Sequence, residues 1–197
     1  MQGHRKILKN IQKRYGRRFA PPAFLCYNDA LNLYCTDTFV SESWIGKGIG
    51  YMAVKIYESA GPADTAGLGM EIGHMVKAGT VICLNGDLGA GKTVFAQGLA
   101  RGLGISEPVN SPTFTILQVY EEGRLPLYHF DVYRIADPEE MDEIGYEEYF
   151  YGNGICLIEW SELIEELIPA DAWQVKIEKD LDKGFDYRRI TVKDGET

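Results

Sequence analysis

The run Gly86-Asp87-Leu88-Gly89-Ala90-Gly91-Lys92-Thr93 constrains this chain more than any other feature of it. It follows directly on Thr80-Val81-Ile82-Cys83-Leu84, a short continuous apolar run of the kind that forms a strand buried on both faces of a mainly parallel sheet. Beyond it, Phe95, Leu99 and Leu103 recur at helical spacing and Gly104 marks a stop, so Val94 to Leu103 reads as a helix. Strand, glycine-rich loop and helix form the setting in which the pattern G-x-x-x-x-G-K-[ST] cradles phosphate. Backbone that curls around phosphates must aim several N–H groups inward, in conformations a side chain would obstruct, and Gly86, Gly89 and Gly91 allow this. Lys92 brings a positive charge for the β- and γ-phosphates and Thr93 a hydroxyl for Mg²⁺, while the helix starting there offers its positive dipole end. Asp87, Leu88, Gly89, Ala90, Gly91, Lys92, Thr93 and Val94 are therefore the expected nucleotide-binding residues, with ATP and Mg²⁺ as ligands.

A loop of this kind that hydrolyses ATP also needs acidic residues at the ends of neighbouring strands, to hold the metal and orient water. Glu159 directly follows the apolar run Ile155-Cys156-Leu157-Ile158, so its carboxylate is expected at a carboxyl edge where Mg²⁺ could sit; the alternative is a cap for the helix that follows. Asp131 stands in His129-Phe130-Asp131-Val132-Tyr133-Arg134, where a lone acid among apolar and aromatic residues costs free energy unless paired. Its alternative is a salt bridge to Arg134 or a neighbour. His129 reads as a packed strand histidine more readily than as a base, and Trp160 as core. Asn110-Ser111-Pro112-Thr113-Phe114-Thr115 is either a loop responsive to a γ-phosphate or a turn built by Ser-Pro.

Elsewhere, Asp64 to Gly79 carries a helical pattern with Asp64 or Thr65 as cap and Ala66, Leu68, Gly69, Ile72, Met75 and Val76 on one face. Phe114 to Tyr120 and Leu125 to Tyr133 read as a hairpin turning at Gly123, Glu162 to Leu167 as a short helix, and Trp173 to Ile177 with Arg188 to Val192 as a closing strand pair. The expected fold is α/β: a P-loop NTPase-like, mainly parallel sheet flanked by helices, with an antiparallel hairpin portion.

Residues 1–51 differ from the rest, carrying 8 Lys and Arg against 3 Asp and Glu, whereas 52–197 carry 12 against 26. The basic start could be an RNA-binding arm, a solvated helix face or a leader upstream of a natural start at Met52; the leader is favoured, and 52–197 is taken as the ATPase domain. Gly46-Lys47-Gly48-Ile49-Gly50 lacks phosphate-loop spacing and reads as a linker. A body with net charge near −14 is a poor match for a phosphate backbone, so contact with RNA is expected only indirectly, through a partner. Four scattered cysteines give no zinc or disulfide pattern. No stretch approaches the roughly 20 apolar residues of a membrane span, and a cytoplasmic protein is expected.

Taken together, the phosphate loop, Ser111-Pro112-Thr113-Phe114, His129-Phe130-Asp131-Val132-Tyr133-Arg134 and Ile158-Glu159-Trp160 closely resemble the bacterial TsaE (YjeE) family in order and spacing, from about Met52 to Val192. The resemblance implies a small P-loop ATPase needed for threonylcarbamoyladenosine in tRNA, working with TsaB and TsaD, where TsaD transfers the threonylcarbamoyl group and ATP hydrolysis resets the TsaB–TsaD pair. It further implies that Lys92 and the loop amides hold phosphates, that Thr93 and Glu159 hold Mg²⁺, and that Asp131 supports hydrolysis. Thr65 would stand near the adenine, and Arg188 or Arg189 near the nucleotide. Two other classes compete: a small-molecule kinase, although no arginine-bearing lid is evident between Leu103 and Pro138, and a nucleotide-dependent binding module.

Overall fold

The structure is a computed structural model that describes residues 25–28, 33–37 and 54–195; the basic start, the glycine-rich linker and the expected start at Met52 lie outside the described residues. Its strands are β1 (Leu25–Asn28), β2 (Leu33–Asp37), β3 (Val54–Ser59), β4 (Val81–Asn85), β5 (Leu117–Tyr120), β6 (Leu127–Asp131), β7 (Ile155–Glu159), β8 (Trp173–Lys179) and β9 (Arg188–Lys193). They join in one sheet in the order β1-β2-β3-β9-β8-β4-β7-β6-β5. The helices are α1 (Pro62–Met75), α2 (Lys92–Leu103), α3 (Glu140–Ile144) and α4 (Tyr146–Phe150), with a 3-10 segment at Ser161–Leu167.

The α/β class is as expected, and the sheet is mixed. Strands β8, β4, β7 and β6 run parallel at its centre. Antiparallel pairing is more extensive than a single hairpin, because β9, β3, β2 and β1 add in succession on one side and β5 on the other. The parallel centre explains the continuous apolar runs. Ile82 and Leu84 pack with Leu157, Phe95 and Leu99 under α1 and α2, whereas Cys83 packs with Phe130, Ile158, Met141 and Phe150 on the opposite face.

Helices α1 and α2 approach closely enough that their backbones touch. A Cβ on Gly98 would run into the Ala66 carbonyl, and one on Gly69 into the Phe95 carbonyl. This glycine-faced crossing seats the start of α1 beside the phosphate loop, with the Thr65 methyl 4.0 Å from where a Gly91 Cβ would stand.

Several boundaries shift for local reasons. Helix α1 begins at Pro62, which suits a first turn, and Asp64 accepts the Ala60 N–H at 2.8 Å instead of starting the helix. It stops at Met75 before Gly79, and Met75 is exposed, not on the buried face. Helix α2 starts two residues early, at Lys92, with Gly91 before it in the left-handed region. Strand β5 is shorter than read, since the Ile116 N–H returns to the Pro112 carbonyl and curls 112–116 into a turn. Asp137-Pro138-Glu139-Glu140 has the pattern of a helix start capped by Asp137, but 137–139 precedes α3 as a turn, in which Asp137 Oδ1 accepts the Glu139 N–H.

Candidate functional site

The phosphate loop leaves the carboxyl end of β4, and the two acidic candidates leave the carboxyl ends of its neighbours: Glu159 ends β7 and Asp131 ends β6, in register with each other. Such an edge is where open parallel sheets bind ligands. A cavity of about 590 Å³ opens there, within the usual range for small-molecule sites. Leu88, Gly89, Gly91, Lys92, Thr93 and Val94 line one side, and Ser111, Thr113, Asp131, Tyr133, Glu159 and Trp160 the other.

Gly86 has φ 153° and lies so close to β8 that a Cβ would meet the Ile177 carbonyl, so its glycine is required by both backbone and space. Lys92 is nearly buried and folds back on its own loop: Nζ donates to the Gly86 carbonyl at 2.7 Å and to that of Asp87 at 3.4 Å, and stands 3.9 Å from the Trp160 ring centre. Burial pushes the ammonium below its usual pKa, opposed by the charges of Glu159 and Asp131. Trp160 adopts φ 64°, a left-handed conformation rare for a bulky residue, which sets its ring against Lys92 and against Tyr133 at 5.1 Å.

Asp131 is buried, and its partners are not basic. Ser111 Oγ donates to Oδ2 at 2.9 Å, Thr113 Oγ1 donates to the same oxygen, and the Tyr133 N–H donates to Oδ1 at 3.1 Å. The expected salt-bridge alternative is therefore replaced by hydroxyls, and Arg134 instead stacks on the exposed Phe114 ring at 4.7 Å. The Ser-Pro segment is a turn, and its Ser111 and Thr113 hydroxyls line the cavity. Glu159 is equally buried, with Oε1 3.0 Å from His129 Nε2. It does not cap the following segment. That task falls to Asn85, whose Oδ1 accepts the Ser161 N–H and hydroxyl at 3.0 and 3.1 Å.

Four expected nucleotide residues stand outside the cavity lining. Asp87 is exposed on the loop and Ala90 is buried beneath it. Thr65 is buried, with its hydroxyl 2.9 Å from that of Ser59. Arg188 reaches the loop from outside: Nε donates to the Ala90 carbonyl at 2.7 Å, Nη1 to the Tyr187 and Phe185 carbonyls at 2.7 and 2.8 Å, and Nη2 to the Gly89 carbonyl at 3.5 Å. Lys179, not singled out in the sequence, does the same at the tip, donating to the Leu88 carbonyl at 2.7 Å. These two cations thus bind successive carbonyls of the loop, those of Leu88 and Ala90 with Gly89 between them. Arg189 pairs across from Glu58 in β3, away from the loop.

Among the described residues no group of three or more His, Cys, Asp or Glu side chains could hold a metal by itself. The oxygen donors facing the cavity suit Mg²⁺, which commonly takes one or two protein carboxylates and completes its shell with water and substrate phosphates. No helix among those residues is long and apolar enough to cross a membrane.

The sequence model of the family described as Threonylcarbamoyl adenosine biosynthesis protein TsaE matches residues 59–190, a span that includes every residue of this cavity. The tRNA threonylcarbamoyladenosine biosynthesis protein TsaE of Bacillus subtilis (strain 168) is 47% identical over 135 residues, 68% of this chain and 82% of that protein. Its namesake in Treponema pallidum (strain Nichols) is 52% identical over 106 residues, 54% of this chain and 78% of that one. The crystal structure of Bacillus subtilis YdiB superposes with a TM-score of 0.64 at 39% sequence identity, covering 75% of this chain and 90% of that chain.

Proposed function

The chain belongs to the TsaE family, and from that premise we propose that it is a Mg²⁺-dependent ATPase that supports threonylcarbamoyladenosine modification of tRNA by acting on a TsaB–TsaD pair. The observation that carries the reading is the convergence of Lys92, Thr93, Asp131 and Glu159 on one cavity at the carboxyl ends of β4, β6 and β7.

The loop amides and Lys92 bind the phosphates, and Lys92 exchanges its contacts with the Gly86 carbonyl and the Trp160 ring for them. Both contacts are modest: a hydrogen bond from a charged donor contributes about 1.5–3 kcal/mol and a cation–π contact about 0.5–2 kcal/mol. Thr93 and Glu159 are the residues that hold Mg²⁺, which when bound neutralises charge on the phosphates. Asp131 holds the Ser111 and Thr113 hydroxyls at the cavity wall, where they orient water for hydrolysis. The Tyr133 and Trp160 rings, 5.1 Å apart, form an apolar part of the cavity wall. The acidic body suits contact with partner proteins instead of bare tRNA.

Reconstitution of tRNA modification with purified TsaB and TsaD, with and without this chain, tests the reading. Multiple rounds of modification should require both the chain and ATP. Full modification without it, or with the Lys92→Ala variant in its place, would end the proposal.

A further inference from the structure

His129 has a side chain with no exposure to solvent, and it lies on the same face of β6 as Leu127 and Asp131. Beside it, Ile155 and Leu157 of β7 precede Glu159 on the matching face. A leucine at that position would meet the packing need. The imidazole instead brings two polar atoms into an apolar layer, each costing about 1–3 kcal/mol if left unmatched. One of them is matched: Nε2 stands 3.0 Å from Glu159 Oε1. The other, Nδ1, is the one buried side-chain nitrogen or oxygen without a hydrogen-bond partner among the described residues.

These two facts fix the direction of the bond. The carboxylate accepts, so Nε2 carries the hydrogen, and Nδ1 is then a bare lone pair. A hydrogen on Nδ1 would leave a buried donor with nothing to receive it, which folded proteins tolerate least. A glutamate has three side-chain torsions, and this bond fixes one of its oxygens at the cavity floor. The other oxygen carries no hydrogen bond among the described residues. We propose that His129 is a positioning residue: its Nε2–H holds the Glu159 carboxylate in the orientation from which it binds the divalent cation, and thereby sets the affinity of the site for that cation. The inference rests on the reading of Glu159 as the metal-side carboxylate, and it goes beyond that reading by assigning a task to a histidine that does not itself face the cavity.

This chain, a fluorescent ATP analogue and Mg²⁺ are sufficient for the test. Loss of an outer hydrogen bond to a metal ligand typically lowers metal affinity by about tenfold to a hundredfold. His129→Leu should therefore need about ten to a hundred times more Mg²⁺ for its half-maximal effect on nucleotide binding, while binding in EDTA stays within about twofold. His129→Gln, whose amide nitrogen can reach the position of Nε2, should recover most of the Mg²⁺ affinity, and the shorter His129→Asn should not. If His129→Leu fails to melt cooperatively, the Gln and Asn variants decide the matter. Nitrogen NMR of the wild-type imidazole should show the hydrogen on Nε2. A wild-type Mg²⁺ titration in His129→Leu, equal behaviour of His129→Gln and His129→Asn, or a hydrogen on Nδ1 would overturn the positioning role alone. A wild-type protein whose nucleotide binding ignores Mg²⁺ would overturn the metal reading along with it.

Discussion

The two halves of the sheet divide the work unequally. The parallel centre, β4, β7 and β6, ends in the phosphate loop, Glu159 and Asp131, all aimed into one cavity. The flank, β8 parallel to β4 and then antiparallel β9 with β3, β2 and β1 beyond, sends Arg188 and Lys179 to the outside of the loop. Parallel strands deliver their carboxyl ends to one edge, so groups distant in sequence meet there. Antiparallel neighbours alternate direction and cannot gather ends in that way. The cavity is lined from the centre, and the flank braces the phosphate loop from outside.

This division predicts a graded series of defects. Lys92→Ala should reduce ATP hydrolysis by at least about a hundredfold, as for other losses of a preorganised charge, and leave thermal stability at or above wild type because a buried ammonium is removed. Steady-state kinetics with a melting curve checks both halves of that statement. Asp131→Asn should follow, with turnover down about a hundredfold and nucleotide affinity within a few-fold, since it loosens the Ser111–Thr113 hydroxyls without touching the loop. Turnover near wild type would remove Asp131 from the mechanism. Arg188→Ala, on the flank, should weaken nucleotide binding by about 1 kcal/mol, roughly fivefold by titration, through a looser loop. A loss as large as that of Lys92→Ala would mean that the flank touches ligand directly. Deleting residues 1–51 removes β1 and β2 from the sheet edge and should change nucleotide affinity by less than about twofold. A larger change would place part of the site in the N-terminal stretch.

The centre was also the more legible half. Continuous apolar runs marked β4 and β7 because burial on both faces removes the polar alternation that other strands show. The loop spacing and the acids at strand ends then located Lys92, Thr93, Glu159 and Asp131. What escaped the sequence depended on side-chain direction across the fold. Arg188 carries a charge suited to a nucleotide, but its guanidinium is engaged by the Ala90, Tyr187 and Phe185 carbonyls. Lys179 gave no local signal, because it is one lysine in an exposed strand end and meets Leu88 only through the parallel pairing of β8 with β4. The capping task read for Glu159 belongs to Asn85, which is 76 residues from the Ser161 that it caps. The link between His129 and Glu159 had a usable cue, since alternation puts His129 on the face of Asp131; that cue was outweighed by the ordinary packing role of a strand histidine.

The most direct test of the account is a crystal structure of the full chain with a non-hydrolysable ATP analogue and Mg²⁺. The account predicts the triphosphate against the amides of residues 87–93, Lys92 withdrawn from the Gly86 carbonyl to the phosphates, and the metal between Thr93 and Glu159. A nucleotide bound elsewhere on the molecule, with Lys92 still folded onto Gly86 and Trp160, would contradict it.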